Sequence, residues 1–304
     1  MYKKILLTGV NGQVGHALQR ALSGETSLTN AAVICLDRSQ LDLTQHDEIR
    51  RVIRAIKPDL IINPAAYTVV DKAETEPELA FAINATAPQI LAEEAANIDA
   101  KLIHFSTDYV YSGSKASPYT EDDTTEPLSV YGKSKLAGED AIRVVGAQHL
   151  VLRTSWVYGA HGKNFLKTIL RLAGERDELR IVADQFGAPT SSLSIADAIL
   201  SVLNKWQDET TGIYHFVNAG QTSWHGFATA IVEEYTRLQA IHSWPVLRIA
   251  PDKIQAITTR EFPTPAARPA NSCLDCSKLV RDFSVKLPDW RDALIVELQE
   301  LHQN

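Results

Sequence analysis

Only three of the 304 residues are cysteine, and only one is methionine. Three thiols cannot pair without leaving one over, so no disulfide framework organises the chain, and a reducing, cytoplasmic setting is expected. Cys273 and Cys276 do stand in Cys-x-x-Cys spacing. No second ligand pair accompanies them, so neither a zinc site nor a redox pair is expected there. An excess of positive charge is also missing: 30 Lys and Arg against 37 Asp and Glu give a formal net charge of −7. Without a basic cluster to meet a phosphate backbone, nucleic acid is excluded as a partner. No apolar run approaches membrane-spanning length. The N-terminal Ile5-Leu6-Leu7 is too short for the core of a signal peptide, and repeats and low-complexity tracts are absent.

The composition that remains, 45% hydrophobic and 22% charged, is that of a globular protein with material for about two domains. Short, nearly continuous apolar runs at 4–8, 32–36, 60–63, 102–105 and 149–154 alternate with helical stretches at 47–56, 78–96 and from Tyr131 to Val145. Such an alternation predicts a parallel sheet covered on both faces. Beyond residue 155 the regularity falls away. Helices are expected at about 164–174, 194–206, 224–240 and 290–301, between loops rich in Gly and Pro, as in a smaller α/β region.

Between the first strand and the first helix lies Gly9-Val10-Asn11-Gly12-Gln13-Val14-Gly15. Glycines in a strand-to-helix turn let backbone N–H groups approach a pyrophosphate, which then rests at the positive end of the helix. Asp37, at the end of the second strand, suits the ribose 2′-hydroxyl of NAD, whereas Arg38 suits the 2′-phosphate of NADP. Both cofactors are therefore permitted.

Tyr131 and Lys135 are four apart, one helical turn, and follow Ser106-Thr107-Asp108-Tyr109. A phenol that must exchange a proton near neutrality needs help, and an ammonium on the same helix face favours its ionised form. Thr107 adds a hydroxyl for the same substrate oxygen. The spacing alone also fits a solvated surface pair; the glycine loop and the strand end at Thr107 favour the proton-delivery reading. His104, inside an apolar strand, is expected to be a satisfied core histidine, and His161, between glycines, a solvated one.

With these residues in place, the chain resembles the extended short-chain dehydrogenase/reductase family. The blocks that carry the likeness are Phe105-Ser106-Thr107-Asp108-Tyr109-Val110-Tyr111, Tyr131-Gly132-Lys133-Ser134-Lys135, Arg153-Thr154-Ser155-Trp156-Val157-Tyr158-Gly159, Gly187-Ala188-Pro189-Thr190 and Ala267-Arg268-Pro269-Ala270-Asn271-Ser272. The resemblance implies a Rossmann-type doubly wound parallel sheet over 1–155 and a smaller α/β substrate domain over 156–304, with about 180–206 returning to the first. It also implies reduction, by NADPH or NADH, of the C4 carbonyl of a dTDP-4-keto-6-deoxysugar, specifically dTDP-4-dehydro-β-L-rhamnose, with NADPH favoured because the reaction is biosynthetic. Thr107, Tyr131 and Lys135 would be catalytic. Gly9, Asn11, Gly12, Gln13, Val14, Gly15, Asp37, Arg38, Asp42, Leu43, Ala65, Ala66, Tyr67 and Asn84 would bind the cofactor, together with Tyr131 and Lys135. Thr68, Val69, Asp71, Thr107, Asp108, Tyr109, Trp156, Asn164 and Arg268 would bind the dTDP-sugar.

Tyr109 narrows the activity. Relatives that dehydrate 4-ketosugars resemble Thr-Asp-Glu at this strand end, and without that glutamate the elimination lacks its base. Rival readings are a reductase or epimerase of another nucleotide 4-keto-6-deoxysugar, and a non-catalytic NADP-binding regulatory subunit. Some relatives are associated with Mg²⁺ bridging subunits through glutamates, one of them in the first helix. His16-Ala17-Leu18-Gln19 stands there in this chain, so no metal ligand is assigned, and a monomer or homodimer is expected.

Overall fold

The computed structural model describes residues 2–28, 30–207 and 210–302. Six strands form the central sheet: β1 (Lys4–Thr8), β2 (Ala32–Leu36), β3 (Leu60–Asn63), β4 (Lys101–Thr107), β5 (His149–Thr154) and β6 (Gly212–His215). All pair in parallel, in the order β6-β5-β4-β3-β1-β2. The principal helices are α1 (Gln13–Gly24), α2 (His46–Ile56), α3 (Ala87–Asn97), α4 (Val130–Val145), α5 (Phe165–Glu175), α6 (Ser192–Lys205), α7 (Trp224–His242), α8 (Ser277–Phe283) and α9 (Trp290–Leu301).

Side chains on a strand alternate between faces, so the continuous apolar runs feed two cores. Ile5, Leu7, Ile62, Ile103 and Leu152 pack under α1, α6 and α8, through Leu18, Ile199 and Phe283 among others. Leu6, Ile61, Leu102 and Val151 face the other way, onto Ile49 and Ile53 of α2, Leu91 of α3 and Ile142 of α4. A third core gathers α5, α7 and α9 around a short parallel pair, Leu179–Val182 with Ile254–Ile257.

The sheet extends further along the chain than the segment 180–206 expected to return to it. Helix α6 does pack on α1, but strand 179–182 stays with the third core, while β6 and α8 join the sheet from outside that segment. The helix expected over 78–96 is also interrupted. A helical turn at Pro77–Phe81 passes into a π-helical stretch, Ala82–Thr86, before α3 begins. Pro88 has no N–H to give the carbonyl of Asn84, so the regular ladder breaks there. Helix α4 presses on the freed carbonyl at Gly138, where a Cβ would stand 2.1 Å from the Asn84 oxygen.

Candidate active site

A single cleft of about 410 Å³ opens beyond the carboxyl ends of β1 and β3, and runs from the glycine loop to Tyr131 and Lys135. The strand order reverses at β1, which is where open α/β sheets bind ligands. Gly12 is the N-cap of α1 and supplies no side-chain cap, and the first turn carries no acidic residue. The leading N–H groups are thus left for an anion at the positive helix end. Gly15 lets the helix close on the loop, since a Cβ there would lie 2.2 Å from the Gly9 carbonyl oxygen. Overpacking of this kind costs about 1–3 kcal/mol. Gly15→Ala should therefore weaken dinucleotide binding about ten- to hundredfold by fluorescence titration, and unchanged affinity would contradict a cradle here.

Gly9, Gly12, Gln13, Val14, Gly15, Arg38, Asp42, Leu43, Ala65, Ala66, Thr68, Tyr131 and Lys135 all line the cleft, joined by Leu41, Pro64, Ile83 and Thr154, which the sequence reading did not single out. Asp37 turns its Oδ1 back to the Ser39 and Gln40 backbone N–H groups, at 2.8 and 3.2 Å, closing its own turn. Its Oδ2 lies 3.5 Å from Nδ2 of Asn11. Arg38 is exposed and pairs with Asp42 at 3.5 Å. Asn84 is fully buried, and its amide is spent: Oδ1 accepts the Tyr67 N–H (2.9 Å), and Nδ2 donates to the Tyr67 carbonyl and to Ser134 Oγ (both 3.0 Å). Asn84 is thus a clamp that ties the loop after β3 to α4, rather than a surface for the cofactor. Tyr67 is buried beside Tyr131 and gives its hydroxyl to Glu76, 2.8 Å away.

Tyr131 and Lys135 share a face of α4, yet the ammonium does not turn to the phenol. Lys135 Nζ donates to the Phe105 carbonyl at 2.5 Å and lies 3.3 Å from His104 Nε2. Burial pulls the Lys135 pKa down to about 8, with Glu139 opposing. Tyr131 is pushed up to about 12 by burial, a hydrogen bond with Thr107 works against the rise, and Asp108 adds to it. The expected lowering of the phenol by Lys135 is not seen; the nearby Thr107 hydroxyl is what opposes the rise. His104 is a buried histidine, as expected, but it is also Lys135's neighbour. Its Nδ1 meets Asn63 at 3.1 Å, and Asn63 in turn accepts from Thr8 at 2.6 Å. Burial and the Lys135 ammonium hold it well below the ordinary histidine range.

Beneath this cluster lies a buried polar network. Glu139 of α4 and Arg153 of β5 form a fully buried pair at 2.5 Å. Ser106 donates to Glu139, and Arg153 donates to the Tyr111 hydroxyl at 2.6 Å. The catalytic helix is thereby pinned to the ends of both strands.

The expected sugar-binding residues divide. Tyr109 lies edge-on to Tyr131, ring centroids 5.5 Å apart, and burial raises its phenol far above the ordinary value. Asp71 and Arg268 meet each other in a two-pronged pair at 2.8 and 2.9 Å, while Val69 is 55% exposed. Trp156 is half-buried in the left-handed region, φ 48°, and stacks on Trp224 at 3.6 Å. Asn164 caps α5 by accepting the Lys167 N–H (3.0 Å), and its Nδ2 donates to Gln13 (2.8 Å) and to the Gly159 carbonyl (2.7 Å), so it latches the loop to α1. His161 is exposed, as expected, and it stacks on His16 at 4.0 Å and meets the Asn11 carbonyl at 3.1 Å. Among the described residues no cluster of three or more His, Cys, Asp or Glu could hold a metal ion, and no helix is long and apolar enough to cross a membrane.

A doubly wound sheet and a cleft that joins a glycine cradle to Tyr131 and Lys135 define an NAD(P)-dependent oxidoreductase of the short-chain type. The family model described as the RmlD substrate binding domain matches residues 3–303, and the chain belongs to that family. A dTDP-4-dehydrorhamnose reductase of Burkholderia thailandensis is 45% identical, over 98% of this chain and 99% of its own. The crystal structure of a dTDP-4-dehydrorhamnose reductase from Clostridium acetobutylicum superposes with a TM-score of 0.88 at 35% identity, over 98% of this chain and 99% of that one. That from Bacillus anthracis, in complex with NADP, gives 0.88 at 34%, over 99% and 100%.

Proposed function

We propose that this chain reduces the C4 carbonyl of dTDP-4-dehydro-β-L-rhamnose to give dTDP-β-L-rhamnose, the last step of dTDP-rhamnose biosynthesis. NADPH is the preferred reductant, NADH the second, and the site of action the cytoplasm. The observation that carries the reading is the continuity of one cleft from the glycine loop to Tyr131 and Lys135, with the Thr107 hydroxyl close to Tyr131. The relatives named as dTDP-4-dehydrorhamnose reductases over their full length support the substrate.

When bound, the nicotinamide cofactor supplies the hydride. The glycine loop and the open end of α1 hold its pyrophosphate. Arg38 on the cleft wall suits a 2′-phosphate. Tyr131 gives the proton to the oxygen at C4, Thr107 holds that oxygen, and Lys135 keeps a positive charge at the nicotinamide ribose. Tyr109 places a phenol, not a carboxylate, beside Tyr131, which leaves 5,6-elimination without its base.

Purified chain with NADPH and dTDP-4-dehydrorhamnose should yield dTDP-L-rhamnose by chromatography against standards. A C4-epimeric product would reassign the substrate to another 4-keto-6-deoxysugar. Binding of NADPH without its oxidation would favour the regulatory reading.

A further inference from the structure

Thr107 has one proton and two lone pairs to distribute, and four groups compete for them. Its Oγ1 accepts the Tyr109 backbone N–H at 3.2 Å, lies 3.0 Å from Asp108 Oδ1, stands close to the Tyr131 hydroxyl, and must also serve the substrate oxygen. Asp108 is 2% exposed, and its Oδ2 has no hydrogen-bond partner among the described residues. A carboxylate in that position is poorly satisfied; a carboxylic acid, needing one fewer partner, is not.

The two protonation states order the site differently. With Asp108 ionised, Thr107 must donate to Oδ1, and its second lone pair is left for the Tyr131 hydroxyl. Both catalytic protons then point away from the substrate. With Asp108 protonated, its O–H donates to Thr107, and the Tyr109 N–H takes the other lone pair. Tyr131 can no longer donate to Thr107, so both hydroxyls turn toward the C4 oxygen.

We propose that Asp108 is a positioning residue that works as a neutral acid, donating to Thr107 and so aiming the Thr107 and Tyr131 hydroxyls at the substrate carbonyl. The assignment rests on the reductase reading above. In the step itself, the hydride brings its electron pair to C4, the π pair moves to oxygen, and the Tyr131 proton follows it. The Thr107 hydrogen is then free to stabilise the phenolate left behind.

The surroundings raise the share of the neutral acid. Burial raises Asp108 to about 6, with the hydroxyls of Ser272 and Thr107 offsetting part of the rise. The titratable groups facing it are Tyr109 beside it, Tyr131 from α4 and Cys273 from the C-terminal loop. Arg268 and Asp71 act on Tyr109, and each largely neutralises the other.

Since kcat/KM reports the free enzyme, it should fall tenfold per pH unit as Asp108 ionises, above about 6. Asp108→Asn carries a permanent N–H donor toward Thr107. It is expected to abolish that falling limb, so that kcat/KM no longer declines above about pH 6. A D108N enzyme that keeps the limb, or is inactive at every pH with intact NADPH binding, would overturn the proposal. Thr107→Val provides a second check, because adding D108N to it should change nothing further; additive losses would count against the relay. Should D108N not fold, carboxyl ¹³C titration of the wild-type chain decides, an Asp108 pKa near 4 being the refuting result. That titration also separates the two readings: Asp108 raised in a chain that reduces no 4-ketosugar would remove the reductase assignment and leave the buried acid in place.

Discussion

Tyr131→Phe is expected to turn over about 10²- to 10⁴-fold more slowly than the parent chain, with cofactor affinity unchanged. The phenol ring packs with Tyr67, Ala73 and Ala80, and phenylalanine keeps that packing. What is removed is one hydroxyl, which stands near that of Thr107. Nothing else in the site takes its place. Lys135 is held by the Phe105 carbonyl and His104, and Tyr109 is held near neutrality as an un-ionised phenol by burial. Stopped-flow measurement of NADPH oxidation, with a separate binding titration, distinguishes the loss of a proton donor from loss of the site. An unchanged rate would remove Tyr131 from the chemistry.

The second large effect is expected in stability. Arg153→Met leaves Glu139 in the interior without its guanidinium, with Ser106 as its remaining named partner, and breaking one side of a buried pair costs about 3–5 kcal/mol. Denaturant unfolding of R153M should show that loss. The double variant R153M/E139M, with no stranded charge, should recover much of it. If R153M and the double variant lost equally, the destabilisation would come from packing and not from the orphaned carboxylate. Because Glu139 lies one turn beyond Lys135 on α4, R153M should also slow turnover by more than its stability loss accounts for.

Much of the first half of the fold was legible because each strand there is a buried run with helices on both sides. Thr107, Tyr131 and Lys135 were legible because their spacing is local. What escaped notice depends on distant partners. Strand 179–182 pairs with 254–257, and β6 with β5 across more than fifty residues; each is four residues long and carries too little periodicity to declare itself. Asn84, Asn164, Asp71 and Arg268 entered as ligand groups through the family resemblance. Their polar atoms are engaged by Tyr67, Gln13 and each other, and a side chain's capacity to bond does not reveal which partner takes it. The Glu139–Arg153 pair left only a faint trace, an arginine closing an otherwise apolar strand.

The late arrival of β6 bears on synthesis. When residue 154 has left the ribosome, β5 is the last strand available, and its outer edge stays unpaired until Gly212–His215 follows. The interval is roughly 60 residues, or about 3–12 s at ordinary elongation rates. During that time an apolar strand edge is open to any other chain nearby. The nascent protein thus passes through a window of vulnerability that the finished sheet conceals, and chaperone demand should concentrate there.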